Sequence, residues 1–259
     1  MIDAKTKEKL RTVFYPKAER VVFEPVRNAL EKHLPPEARV LDAGCGEGTW
    51  ILREFRSKIS YLVGVDAQIP RDKKRMDEFV LCNLENIPLA DGTFDVIICY
   101  FVIEHLKQPQ KVFAEFSRLL ADNGVIIFRT PNIVSPLFVL SRLTSIHWHN
   151  AIKRVMVGSQ GVDAFPTFYK CNTVGKLKRE LKAAGLHRGV LDSCEQIQGY
   201  FTFSRISYAI GLLVSRAIQS CPLTKPFRSQ LIGVYLKQAG NDTARENSPD
   251  NMRRQAYIA

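Results

Sequence analysis

The chain has 259 residues, enough for one large α/β domain with insertions, and 46% hydrophobic with 24% charged residues is the make-up of an ordinary soluble globular protein. No run approaches the roughly 18 apolar residues of a spanning helix, and the charged start Met1-Ile2-Asp3-Ala4-Lys5 has no apolar core behind it, so a signal peptide is excluded as the reading of that segment. The net charge of +11 is unevenly placed: residues 131–238 hold 14 basic and 4 acidic side chains, whereas residues 38–130 hold 12 and 13. The later half therefore carries either a solvated basic face or a surface for something anionic, such as a lipid headgroup, a phosphate-bearing substrate or nucleic acid.

In chain order, residues 1–37 read as one or two helices. Val21, Val22, Val26, Ala29 and Leu30 fall near helical spacing, and Pro35-Pro36 ends the segment. Arg39 to Asp42 reads as a first strand, followed by the glycine turn Gly44-Cys45-Gly46-Glu47-Gly48 and a helix over Trp50 to Arg56. Tyr61 to Asp66 is a second strand, Phe79 to Leu81 a short third, and Phe94 to Cys99 a fourth, continuously apolar as a buried parallel strand should be. Pro109 to Leu120 is helical, with Val112, Phe113, Phe116, Leu119 and Leu120 on one face; Asp122-Asn123-Gly124 turns the chain into a fifth strand, Val125 to Phe128. This alternation implies an α/β fold, a doubly wound and mostly parallel sheet of seven strands with helices on both faces.

After Pro131 the pattern loosens. Residues 131–165 read as an insertion over the carboxyl edge of the sheet, and in it His147 and His149 flank Trp148, as substrate contacts, metal ligands or simply a surface loop. A helix from Thr173, as its N-cap, to Gly185 follows. Val190 to Ser193 and Leu231 to Leu236 read as the last two strands. Between them, Tyr200 to Arg216 is aromatic and apolar but too short to span a bilayer, so 198–218 is a core helix, a lid or an interfacial helix. The polar tail 239–259 reads as disordered. The six cysteines form no C-x-x-C pair and no zinc-type spacing; they read as reduced, mostly buried thiols, and the expected location is cytoplasmic, or peripheral at the inner face of a membrane.

Ligands on open parallel sheets bind beyond the carboxyl ends of the strands. Asp42 and the glycine turn close the first strand, Asp66 the second; Asn83 follows the third, Tyr100 the fourth and Thr130 the fifth. Asp66 lies 22 residues after Gly44, the distance at which a carboxylate can take both hydroxyls of a ribose. A dinucleotide fingerprint wants glycine or alanine where Thr49 stands, and Asp42 would repel a pyrophosphate while suiting an ammonium or sulfonium group. The expected cofactor is therefore S-adenosyl-L-methionine.

At these residues the chain resembles the class I S-adenosylmethionine-dependent methyltransferases, and within them the small-molecule group that includes quinone-biosynthesis enzymes. The matching pieces are Val40-Leu41-Asp42-Ala43-Gly44-Cys45-Gly46-Glu47-Gly48, Gly64-Val65-Asp66, Asn83-Leu84 with Ile87-Pro88-Leu89, Phe94-Asp95-Val96-Ile97, Val102-Ile103-Glu104-His105-Leu106 and Thr130-Pro131-Asn132. The resemblance implies that Ala43, Gly44 and Gly46 cradle the methionine part of the cofactor, with Asp42 facing its amino group. It implies Asp66 on the ribose, Ala67 and Gln68 along the adenine, and Asn83 with Leu84 at its edge, where the family usually has aspartate at position 83. Tyr100 and Phe101 would line the floor under the methyl group. His105 is the candidate base, or else a scaffold histidine.

The expected division is a helical cap at 1–37, a methyltransferase domain at 38–238 whose insertions at 131–165 and 198–222 form the acceptor side, and the tail. The expected activity is methyl transfer to an O or N nucleophile of a small-molecule or lipid- or glycan-linked acceptor, anionic in one version, with peripheral membrane contact through 198–218. The alternatives are a nucleic-acid or protein methyltransferase, a dinucleotide oxidoreductase and a non-catalytic cofactor-binding protein. The absence of an Asn/Asp-Pro-Pro-Tyr/Phe motif and of an appended RNA-binding module argues against nucleic acid.

Overall fold

The computed structural model describes residues 2–14, 24–72, 75–136, 138–139 and 165–238. Val21 and Val22, the 146–150 segment with its two histidines, and the 239–259 tail lie outside them. Within the described residues, β1 (Ala38–Ala43), β2 (Ile59–Asp66), β3 (Glu78–Leu81), β4 (Phe94–Tyr100), β5 (Leu120–Pro131), β6 (Leu186–Cys194) and β7 (Gln230–Lys237) form one sheet, ordered β3-β2-β1-β4-β5-β7-β6. The helices are α1 (Ala4–Phe14), α2 (Pro25–His33), α3 (Pro109–Leu119), α4 (Val174–Ala183) and α5 (Arg205–Ser220).

The pairs β1–β2, β1–β4, β2–β3 and β4–β5 are parallel. β7 runs the other way. Ser229 O accepts from Asn132 N just beyond β5, Gly233 lies on Phe128, and Lys237 Nζ donates to Leu120 O, so rising numbers on β7 meet falling numbers on β5. Gly233 permits this close pairing, because a Cβ there would stand 2.1 Å from the Phe128 ring, which in turn stacks on Tyr235. Gly233→Ala is therefore expected to lower stability by about 2 kcal/mol, the usual cost of overpacking a filled core, and chemical denaturation measures it; an unchanged midpoint would show that Phe128 yields freely.

β1 and β4 are buried along nearly their whole length, which requires cover on both faces. One face packs Val40, Leu62, Val96, Ile98 and Ile127 under α2 and the helical segment Trp50–Lys58. The alternate residues Leu41, Ile97, Ile126 and Phe128 point to the other face and are equally buried. α3 and α4 lie against each other and bury Val112, Phe113, Phe116, Leu177 and Leu181. Thr173 caps α4 by accepting from Lys176 N, and Gly185 leaves it at φ 75°.

The expected helix after the glycine turn is of the 3-10 type and spans Trp50–Lys58. Thr49, at its N-cap position, gives its side chain to Asp42 and caps nothing. One local expectation changes. Asp122-Asn123-Gly124 is a bulge inside β5 rather than a turn before it: the register slips between Phe94 and Val96, and Asn123 takes the left-handed conformation at φ 61°.

The chain divides into two compact units. One comprises Met1–Pro25, Pro131–Pro166 and Asp192–Leu231; the other comprises Val26–Thr130, Thr167–Leu191 and Ile232–Ala259. The second unit contains β1 to β5, α2, the glycine turn and every cofactor residue expected from the sequence.

Candidate active site

The parallel registers bring the carboxyl ends of five strands into one row: Asp66 stands opposite Leu81, Ala43 opposite Val65, Asp42 opposite Ile98, and Tyr100 opposite Arg129. The turn after β1 adopts positive φ at Gly44 (70°), Gly46 (49°) and Gly48 (87°), a sequence of conformations that L side chains rarely adopt. Gly44 is also sterically required, since a Cβ there would stand 2.5 Å from the Val102 side chain. Above Gly46 there is open space, with nothing within 4 Å of where a Cβ would be.

Both carboxylates hold this turn. Asp42 is buried, and its two oxygens accept from Thr49 N at 2.8 Å and Thr49 Oγ1 at 2.7 Å. Burial raises its pKa to about 6 against the lowering effect of those bonds, with Asp66 adding repulsion. Asp66 Oδ2 accepts from Gly46 N at 2.8 Å and its Oδ1 from Gln68 N at 2.9 Å. Gly44 N and Cys45 N both donate to Val65 O, which pins the start of the turn to β2.

Ala43 is fully buried at the end of β1, while Ala67 and Asn83 are exposed and Leu84 is half-buried. Asn83 is tied to its own turn: its side-chain oxygen accepts from Glu85 N and its carbonyl from Asn86 N. Cys82 N donates to Asp66 O, so this turn is anchored beside the carboxylate. His105 is half-buried and ends the short turn Ile103–His105, whose neighbour Val102 packs on Gly44.

Sequence reasoning passed over two features here. Arg129 is buried and lies over the rings of Tyr100 and Phe101 while donating to Tyr100 Oη at 3.0 Å. Phe101 beside it has φ 56°, a strained value for an aromatic residue. Glu104 is the centre of a second cluster. Its carboxylate accepts from Thr130 Oγ1, which also accepts from Asn172 Nδ2, and its carbonyl accepts from Phe168 N and Tyr169 N. Burial raises the Glu104 pKa. Glu104 thus joins the ends of β4 and β5 to the segment before α4, and nothing in the sequence marks Asn172 as the partner of Thr130.

All six cysteines are free, and burial pushes the thiols of Cys45, Cys99 and Cys171 upward, so they stay protonated. A cavity of about 280 Å³ lies behind the turn, lined by Asp42, Thr49, Leu52, Arg53, Arg56 and Arg75 among others. Gly44, Gly46, Asp66 and Asn83 do not line it.

Comparison with known proteins finds relatives of both the sequence and the fold. Among curated proteins, the malonyl-[acyl-carrier protein] O-methyltransferase of Laribacter hongkongensis is 28% identical over 210 residues, covering 70% of each chain. Among solved structures, the fold matches the [4+2]-cyclase SpnF (TM-score 0.55, 17% identity, covering 86% of this chain and 83% of that one). It also matches the 1,6-didemethyltoxoflavin-N1-methyltransferase of Burkholderia thailandensis, solved with S-adenosylhomocysteine (TM-score 0.51, 16% identity, covering 91% and 85%). The family model described as a methyltransferase domain matches residues 15–187. That span is well over half of the 259 residues and includes the glycine turn, Asp66 and the Glu104 cluster, and the chain therefore belongs to the class I S-adenosylmethionine-dependent methyltransferases.

Proposed function

We propose that the chain methylates an O or N nucleophile of a small-molecule, acyl-linked or lipid-linked acceptor, and that the residues expected from the sequence form its cofactor site. The observation that carries this reading is the open backbone over Gly46, held to Asp66 by a 2.8 Å bond. A side chain at position 46 would fill that cradle; its absence fits S-adenosylmethionine. When bound, the cofactor supplies a methyl group already activated on a sulfonium.

The chain's own part is then to bind, orient and exclude water. In this reading Ala43, Gly44 and Gly46 cradle the methionine part, Asp42 faces its amino group and Asp66 takes the ribose hydroxyls. Ala67 and Leu84 flank the adenine. Asn83 Oδ1 has two lone pairs, of which Glu85 N uses one, so it can still accept from the adenine amino group. Tyr100, held by Arg129, floors the site.

An acceptor that arrives ionised, as a carboxylate does, needs no base. The relative from Laribacter is named for O-methylation of a malonyl group on a carrier protein, and an acidic acyl acceptor for this chain is consistent with the +10 excess of residues 131–238. Segments 131–165 and 198–222 are proposed to determine acceptor choice, and 198–218 to make a peripheral membrane contact. The test is a screen of carboxylate, hydroxyl and amine acceptors with labelled methyl donor; no transfer to any of them, with cofactor bound, would leave a binding protein. His105→Ala separates two roles for that residue. As a base, its loss lowers turnover by ~100-fold with cofactor affinity unchanged; full activity assigns it to the scaffold.

A further inference from the structure

α5 is inside out. Its inward side is made of Ser207, Tyr208, Gly211, Leu212 and Ser215, all buried, while Ile206, Ile210, Leu213 and Val214 face outward. These four recur at i, i+4, i+7 and i+8, a single stripe along the helix. Ile206 is 75% exposed, Leu213 52% and Ile210 50%, and Phe203 extends the stripe at 51%. An ordinary surface helix buries such a stripe.

The polar inner side is specific, so the orientation is not slack. Ser204 and Ser207 form a capping box at the start of α5. Ser207 Oγ also bonds Phe201 O, and Ser215 Oγ donates to Gln198 Oε1 at 2.6 Å. A Cβ on Gly211 would stand 2.9 Å from the Gln198 backbone, so only glycine allows this approach. Turning the helix to bury its isoleucines would break all of these contacts.

We infer that the outward stripe of α5, with α1 beside it, docks on an anionic lipid surface. α1 is fixed to α5 by Arg11 Nε on Tyr208 Oη and by Arg216 Nη1 on Phe14 O. Its sequence holds Lys5, Lys7, Lys9 and Arg11 against the single acid Glu8, and α5 adds Arg205 and Arg216 with no acid. Lys5, Lys9 and Val13 are all exposed on one side of α1. From 196 to 231 the chain has no acidic residue. An apolar stripe flanked by cations matches an acyl-chain boundary under anionic headgroups. A second copy of the chain fits less well, because pairing this face with itself would bring the like charges together. No helix among the described residues is long and apolar enough to cross a membrane, so the contact is peripheral.

This inference rests on the peripheral-contact reading of 198–218 and is independent of methyl transfer. Flotation of the full chain with phosphatidylglycerol vesicles is expected to recover it with the lipid, with release in high salt and little recovery on phosphatidylcholine. The double substitution Ile206→Ser, Leu213→Ser is expected to cut binding about a hundredfold, roughly tenfold for each aliphatic side chain no longer buried. Lys5→Glu, Lys9→Glu is expected to remove the preference for anionic lipid. Affinity for S-adenosylhomocysteine should be unchanged in both, and Ile210→Gln serves as the check should the first pair misfold. Failure of the wild type to float, flotation indifferent to the stripe, or a wild-type dimer that the substitutions dissociate would each overturn the inference. Loss of methyl transfer with flotation intact would count against the enzyme reading alone.

Discussion

Asp66→Ala is expected to lower affinity for S-adenosylmethionine by at least ~100-fold, measured by calorimetry, while the chain stays folded. Asp66 does two jobs in one carboxylate. It holds Gly46 N and Gln68 N, and it stands where a ribose is proposed to lie. Removing it leaves the Gly46 amide without its acceptor, at about 1–3 kcal/mol, and withdraws charge-assisted bonds from the ribose hydroxyls at about 1.5–3 kcal/mol each. The turn contributes to binding through its shape, so both losses act on the same equilibrium and, even where they only partly add, give at least about two decades. Asp66→Asn separates them, since its remaining oxygen can keep Gly46 in place while one acceptor for the ribose is lost. It should fall between wild type and alanine. Equal affinity in all three would remove Asp66 from the site.

The sheet was legible because its signals are local and redundant. Val96-Ile97-Ile98-Cys99 is apolar at every position, and only a strand covered on both faces takes that pattern; β4 is indeed central. The glycine turn and its two acids were legible because positive φ and buried charge each restrict residue type severely. What the sequence concealed is pairing. Asp42 and Thr49 were each weighed for their chemistry, yet their bond to each other is what keeps Thr49 from capping the next helix. Arg129 on Tyr100, and Asn172 on Thr130, join residues 29 and 42 positions apart, and no periodicity encodes such partners.

α5 illustrates a different limit. Its aromatic, apolar composition located it, but apolar residues occur almost all round, so a core helix and an interfacial helix predict the same letters. The choice turns on Ser207, Gly211 and Ser215, small residues whose meaning depends on what they touch. Only the approach of Gln198 and Phe201 to Gly211 makes the polar side the inner one.

Asp42→Asn is expected to stabilise the chain near neutral pH and weaken the cofactor together. In the folded chain burial lifts the Asp42 pKa to about 6 from an ordinary value of 3.8. A raised carboxylate pKa means that the folded state binds the proton more tightly than the unfolded one. Stability contributed by this group is therefore present at low pH and declines as pH rises from 3.8 through 6. Above that window the penalty is at most about 3 kcal/mol, at 1.36 kcal/mol per unit. Asparagine escapes it without losing the contacts, because Oδ1 can accept from Thr49 N while Nδ2 donates to Thr49 Oγ1. Since these bonds are no longer charge-assisted, the net gain should be about 1–2 kcal/mol, building as pH rises from 3.8 and complete above 6. Urea denaturation at pH 5 and pH 8 measures it: the mutant curve should show a smaller difference between the two. At the same time an ammonium and a sulfonium lose an opposite charge held in a poorly solvated position, and affinity should fall about tenfold or more. A carboxylate that costs stability when ionised, yet is held by two bonds to a threonine, makes sense as a charge kept for a cationic ligand. Stabilisation without any loss of affinity would make Asp42 a loop anchor and nothing more.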